Sequence, residues 1–221
     1  MTDSDEPKLE VAIARRDDAS EIGRLWSVCQ PDSVWSQLGG DLLTIYFRRY
    51  CAGRDELAVT ARIDGRLVGA CVGTGRSSGH ARRFYLKYAL ALGAALARQA
   101  AARPSVVAVC ARRTAYGLVE RARAWRRSED RGRTPAPVVA LEADRDCYMA
   151  NFFVAPSARG ARLGSIMLMR FCDVMAARGF DRCVAHTTID NAASQTAQRR
   201  AGFECIARHD GDLTFARTLT R

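Results

Sequence analysis

What the sequence lacks sets its first bounds. No apolar stretch approaches the ~20 residues that a membrane-spanning helix needs; the longest uncharged apolar run, Tyr88 to Ala97, has 10 residues. The N-terminus, MTDSDEPKLEV, is acidic and has no apolar core, so it does not read as a secretory signal peptide, and the expected location is the cytoplasm. No C-x-x-C occurs. The eight cysteines, Cys29, Cys51, Cys71, Cys110, Cys147, Cys172, Cys183 and Cys205, are widely and irregularly spaced, which argues against a zinc site or a disulfide framework. They are expected as small, reduced, mostly buried residues, and no metal is expected. There is no internal repeat at a fixed period and no recognised nucleic-acid motif, and aromatic residues are not interleaved with arginines as a stacking surface requires.

What is present is a folded, basic chain of 221 residues, 48% hydrophobic, with 34 Lys plus Arg against 24 Asp plus Glu and a formal net charge of +10. That hydrophobic fraction excludes general disorder, and the length suits one domain spanning residues 1–221. The charge is concentrated. From Arg76 to Arg133 there are 13 Arg and Lys87 against Glu120, Glu129 and Asp130, so this one segment carries the whole excess. Such a segment is either a solvated helical surface or a footprint for phosphate, nucleic acid or anionic lipid.

Local patterns give the order of elements. Leu9 to Arg16 alternates like a strand, and Asp17-Asp18-Ala19 opens a helix over IGRLWSVC. The segment PDSVWSQ reads as a loop, and Leu38 to Tyr50 as a helix with Gly53 beyond its end. Glu56 to Ile63 and Arg66 to Val72, joined by Asp64-Gly65, form a hairpin. His80 to Ala102 and Arg112 to Arg127 are expected helices of a basic insertion, 76–133, with Glu129 to Pro137 returning as a loop. A strand over Cys147 to Val154 ends at Ala155-Pro156-Ser157, and a glycine-bearing turn, Arg159 to Gly164, leads into a helix over Ser165 to Ala177. A strand at Cys183 to Ile189, a helix at Ala192 to Arg200, and an antiparallel pair, Phe203 to Arg208 with Leu213 to Leu219, close the chain. A helix entered through a glycine turn presents unpaired N–H groups and the positive end of its dipole, which suits a pyrophosphate.

The order of these elements and two motifs resemble the GCN5-related N-acetyltransferase (GNAT) family, from about Leu9 to Thr220. Val154-Ala155-Pro156 followed by Arg159-Gly160-Ala161-Arg162-Leu163-Gly164 is similar to the family's Val-x-Pro and Arg/Gln-x-x-Gly-x-Gly/Ala, with Arg162 in place of the central glycine. Asn191, Ser194, Gln198, Gly202 and Phe203 hold the places of Asn-x-x-Ala-x-x-x-Tyr-x-x-x-Gly-Phe. The family's tyrosine, which in many members protonates the departing coenzyme A thiolate, is here Gln198. A thiol of pKa near ~8.5 leaves readily without that acid.

The resemblance implies an α/β fold with a central, mixed, mostly antiparallel twisted sheet flanked by helices, and acetyl-coenzyme A as co-substrate. It implies that Phe152, Phe153 and Val154 face the pantetheine arm, that Arg159, Gly160, Ala161, Arg162, Leu163, Gly164 and Ser165 hold the pyrophosphate, and that Asn191 assists. His186, on the strand before Asn191, stands where some members carry a catalytic glutamate, and its ordinary pKa of ~6.5 suits a base; the other reading is a satisfied, half-buried strand histidine. Tyr148 is the second catalytic candidate, or a packing residue, with Asp146 beside it expected to be solvated. Asp32, Trp35, Ser36 and Gln37 are the expected acceptor-binding residues, and Trp35 alone would equally suit a core.

HARRFYLKYALALG together with Ser36-Gln37-Leu38-Gly39 resembles a subgroup associated with bacterial surface-polysaccharide biosynthesis. That implies a small-molecule amine acceptor such as an amino sugar on a nucleotide or lipid diphosphate. A protein or peptide amine, and a non-catalytic coenzyme A-sensing or nucleic-acid-binding module, are the alternatives. For the basic insertion a lid, a homodimer interface and contact with an anionic membrane all stay open.

Overall fold

The computed structural model describes residues 7–53, 55–75, 80–105, 108, 112 and 145–220. A seven-stranded sheet runs in the order β1-β2-β3-β4-β5-β7-β6, formed by Leu9–Ile13, Glu56–Ile63, Arg66–Thr74, Asp146–Val154, Arg182–Thr188, Glu204–His209 and Asp212–Thr218 in chain order. Neighbours pair antiparallel except β4 and β5, which run parallel. This is the mixed, mostly antiparallel α/β sheet that the sequence implies.

Helices cover both faces, which is why β3 is buried along nearly its whole length rather than on alternate residues. On one face α5 (Leu163–Ala177) and α6 (Ala192–Arg200; chain order after α4 below) enclose Leu57, Val59, Cys71, Met149, Met167, Phe171 and Phe215. On the other, α1 (Ala19–Cys29) and α3 (Gly40–Ala52) enclose Ile22, Leu43, Phe47, Val72 and Phe153. Trp26 sets its indole edge against Phe153 with ring centres 5.1 Å apart, an arrangement that the aromatic quadrupole favours.

The segment expected as a loop after α1 contains a short helix, α2 (Val34–Leu38). Ser33 is the reason: its Oγ accepts the Ser36 N–H at 3.1 Å and the Trp26 indole N–H at 3.0 Å, so it caps the turn and ties it to α1. Gly39, at φ +103°, separates α2 from α3. Helix α4 (His80–Ala102) follows β3, as the composition of the basic insertion predicts, and packs on α3 through Leu92, Ala95 and Leu42, with Arg98 paired to Asp41. The second expected helix of the insertion and its return loop fall outside the described residues. No helix among the described residues is long and apolar enough to cross a membrane.

Cys71, Cys147, Cys172 and Cys183 are buried between the sheet and α5, and burial pushes the Cys71 and Cys183 thiols well up, so they remain protonated. No cluster able to hold a metal occurs among the described residues.

Asp146 departs from expectation. It is buried, and its carboxylate receives both Nε and Nη2 of Arg182, its register partner at the start of the parallel pair. The pair fastens β4 to β5 at the end where they are zipped. Replacing Arg182 with Met leaves a buried carboxylate without its fork of donors. Because Arg182 is one-third exposed, the expected loss is about 2 kcal/mol, below the ~3–5 kcal/mol of a fully buried pair. Adding Asp146→Asn to that variant should recover part of it; urea unfolding of the three proteins measures both effects.

Candidate active site

Strands β4 and β5 stay paired only from Asp146↔Arg182 to Met149↔Ala185. Beyond Met149 they part, while β4 continues to Val154 alongside β3. A bulge at Ala150 marks the point of divergence, since Met149 pairs with Gly73 and Asn151 with Val72. The Ala155 N–H donates to the Val68 carbonyl at 2.7 Å. By antiparallel alternation, Phe153 then shares its main-chain bonds with Ala70, and the polar main-chain groups of Phe152 and Val154 turn away from β3 toward the gap. The Val154 carbonyl is already met by Cys29 Sγ at 3.5 Å and Arg159 Nε at 3.4 Å.

At the end of β4 a single 3-10 turn, Pro156–Ala158, leads into the anion-binding turn. Gly160 has φ +91° and Arg162 φ +58°, so the position where the motif has glycine does adopt the left-handed conformation. An arginine there costs roughly 1–2 kcal/mol of backbone strain. Helix α5 starts at Leu163, earlier than the Ser165 expected, and has no side-chain cap. Its first N–H groups therefore face outward as anion donors. Gly164 lies in close packing: a Cβ there would lie 3.3 Å from the Phe152 ring and 3.4 Å from Ala197 Cβ.

These elements bound a cavity of about 560 Å³. Phe152 to Val154 form its floor, Arg159, Gly160 and Arg162 to Ser165 its cationic, anion-binding end, and Asn191, Ser194 and Arg200 its far wall, with Cys29 and Gln30 at the rim. Three arginines thus surround the uncapped end of α5. Asn191 caps α6, its Oδ1 accepting the Ser194 N–H at 3.0 Å, which leaves the side-chain amide to donate. The Cys29 thiol is pushed up by burial, with Arg159 opposing.

On the opposite side of β4 lies an aromatic and polar cluster. Trp35 stacks on Tyr46 with centres 5.0 Å apart. The Tyr46 hydroxyl meets the Tyr50 hydroxyl at 3.3 Å and receives the Asn151 amide at 3.2 Å. Arg49 lies over both rings, 4.6 Å from the centre of Tyr50 and 5.6 Å from that of Tyr46. Tyr148 is 5.5 Å from the His186 ring, and His186 Nδ1 shares a 3.1 Å hydrogen bond with Thr214 Oγ1. Burial lowers the His186 pKa from its ordinary value, with the Asp212 carboxylate opposing, so the imidazole is neutral at pH 7. Burial raises the Tyr148 pKa, with Tyr46 adding to it. Tyr148 therefore stays a phenol.

Of the residues expected at the site, Phe152, Val154, Arg159, Gly160, Arg162, Leu163, Gly164, Ser165 and Asn191 line the cavity. Phe153 lines it too, but its main chain is committed to β3 and its ring to the α1 and α3 core. Ala161 sits exposed in the turn beside them. His186 and Tyr148 come together, as does Trp35 with the tyrosines. Ser36 is committed locally, its Oγ donating to the Gln30 carbonyl at 2.6 Å. Asp32 is exposed, and Gln37 Nε2 reaches the Asp32 carbonyl at 3.4 Å across α2. Tyr46, Tyr50, Asn151, Thr214 and Arg200 were not foreseen. Their signals are faint: two tyrosines one helical turn apart on α3, and one amide interrupting the apolar run CYMANFFV.

A family model, described as the acetyltransferase (GNAT) family, matches residues 21–203. No curated protein matches. Among solved structures, the PaiA N-acetyltransferase of Thermoplasma acidophilum in complex with coenzyme A superposes with a TM-score of 0.54 at 11% identity, over 96% of this chain and 99% of that one. A ribosomal-protein-alanine N-acetyltransferase of Escherichia coli gives 0.54 at 12%, over 97% and 96%. Mutant forms of the spermidine/spermine N-acetyltransferase SpeG of Vibrio cholerae give 0.51 at 10%, over 96% and 95%. At such identities these likenesses speak for the fold. The family match carries the rest: with a cavity whose floor is unpaired strand and whose end is an uncapped helix among arginines, the chain belongs to the GNAT family, acetyltransferases that use acetyl-coenzyme A as co-substrate.

Proposed function

We propose that this N-acetyltransferase acetylates the primary amine of a small, hydroxyl-rich acceptor, an amino sugar borne on a nucleotide or lipid diphosphate. The observation that carries this reading is the cluster across β4 from the cavity. It offers rings, phenolic hydroxyls and one amide, and the charged group lying on its rings is the cation of Arg49. Flat sugar faces stack on such rings, and their hydroxyls match phenol and amide partners. A polycation would instead meet Arg49. The basic surplus of 76–133, and Leu86 and Leu90 of α4, 69% and 92% exposed, favour an acceptor carried by a diphosphate or its lipid.

Bound coenzyme A supplies a thioester carbonyl that an amine attacks directly. The residues fit it: the main-chain groups of Phe152 and the Val154 N–H suit the amides of the pantetheine arm, and the α5 N-terminus with Arg159, Arg162 and Arg200 suits the pyrophosphate. Amines arrive protonated, so the acceptor must lose a proton. His186 takes it at Nε2 in the tautomer whose Nδ1–H donates to Thr214 Oγ1. Tyr148, held as a phenol, donates to the acceptor and orients it.

Purified protein with acetyl-coenzyme A should turn over nucleotide-linked amino sugars and leave spermidine untouched; the reverse preference, read by thiol release, would overturn the acceptor class. His186→Gln should lower kcat by about 100-fold while leaving coenzyme A affinity within about twofold. Because the His186 pKa lies below its ordinary value of ~6.5, the wild-type kcat/KM should fall only on acidification beneath that value, and this acidic limb should vanish in the variant. Arg162→Gly relieves backbone strain yet returns some of it as unfolded-chain entropy, so thermal stability should change by less than about 1 kcal/mol. Its coenzyme A affinity should drop several-fold at low salt and converge on wild type at high salt, which calorimetry at two ionic strengths reads out.

A further inference from the structure

Two departures from the family's second motif fall one helical turn apart, and the structure joins them. Ser194 stands in the alanine place and Gln198 in the tyrosine place. Gln198 Nε2 donates to Ser194 Oγ at 3.1 Å. Gln198 is fully buried, and its Oε1 has no partner among the described residues. Ser194 is 9% exposed, and what remains exposed lines the cavity.

The consequence lies in where the Ser194 proton goes. A helical serine commonly donates to the carbonyl four residues back, as Ser27 does to Gly23 and Thr44 to Gly40. Ser194 sits in the first turn of α6, so the residue four back, Asp190, precedes the helix. The Asn191 carbonyl, three back, already accepts the Gln195 N–H at 3.1 Å, and Ser194 Oγ donates to no carbonyl among the described residues. Gln198 Nε2 occupies one oxygen lone pair and fixes the hydroxyl from the protein side. The proton is left to the cavity.

We propose that Ser194, held by Gln198, is the hydrogen-bond donor to the sulfur of coenzyme A in this enzyme, and that the pair replaces the missing tyrosine. This rests on the reading of the cavity as the coenzyme A site. A donated hydrogen bond stabilises a thiolate over a thiol and so lowers the pKa of the bound thiol below its free value of ~8.5. No proton need be transferred. The sulfur leaves as an anion that the hydroxyl stabilises, the acylated nitrogen gives its second proton to solvent, and solvent protonates the thiolate after release. Gln198 itself does not line the cavity, so it acts on the sulfur only through Ser194.

The test reads the thiol itself. The ultraviolet absorbance of the coenzyme A thiolate is titrated on the protein, with the desulfo-coenzyme A complex as the blank that cancels the protein's own cysteines and tyrosines. In the wild type the bound thiol should titrate below its free value. Ser194→Ala, which restores the residue usual at that place, should raise the bound pKa by about 1 unit with desulfo-coenzyme A affinity unchanged, and Ser194→Thr should restore it. An unchanged thiol pKa in Ser194→Ala, with desulfo-coenzyme A still bound, overturns the proposal alone. Failure of the wild type to bind desulfo-coenzyme A overturns the reading of the cavity, and this inference with it.

Discussion

The site depends on the failure of one parallel strand pair to stay closed. Strands β4 and β5 are held together at one end by their register and by Asp146 with Arg182, and are free of each other after Met149. Strand β4 keeps its pairing with β3, but its other edge at Phe152 and Val154 has no strand beside it and faces the cavity. Cys29 and Arg159 turn onto the Val154 carbonyl. The remaining groups gain a partner when an amide-bearing ligand lies along β4. The cavity is in that sense an incomplete sheet.

The same gap separates two chemistries. On one side, the uncapped α5 and three arginines gather positive charge at the exposed end of the cavity. On the other, Tyr46, Tyr50 and Asn151 form a hydrogen-bonded, largely buried network, with Tyr148 beside it against the His186 ring. Burial drives the titrating groups of the second side in opposite directions: it makes His186 a neutral imidazole and keeps Tyr148 protonated. A neutral imidazole and a protonated phenol side by side follow from one cause, removal of solvent, because the charged form is imidazolium in one case and phenolate in the other.

Much of the architecture was legible because it rests on short-range chemistry. The Asp64-Gly65 hairpin, the strand ending at Pro156 and the helix after Gly160 are all set by residues adjacent in sequence. What escaped depends on distance or on a single atom. Helix α2 hangs on one serine oxygen, and Asp146 was read as solvated because Arg182, 36 positions away, becomes its neighbour only through the parallel register. The aromatic cluster was legible at Trp35 and silent at Tyr46 and Tyr50, whose hydroxyls are drawn together because α3 lies across β4 at Asn151. Periodicity reports which face of a helix is buried; it does not report what polar tip the burial brings together.

Arg162 shows how a motif departure is to be weighed. Glycine is usual there because the chain must take φ near +60°, and the structure retains that conformation with an arginine. A side chain that costs roughly 1–2 kcal/mol of strain would be lost from an unused turn unless it returned something, and the feature it adds is a guanidinium at the mouth of a cavity already lined by Arg159 and Arg200. The departure in the second motif has the same character. Gln198 alone is a loss of acid; Gln198 with Ser194 is an exchange, since one side chain fixes the other and the pair still offers a proton to the cavity.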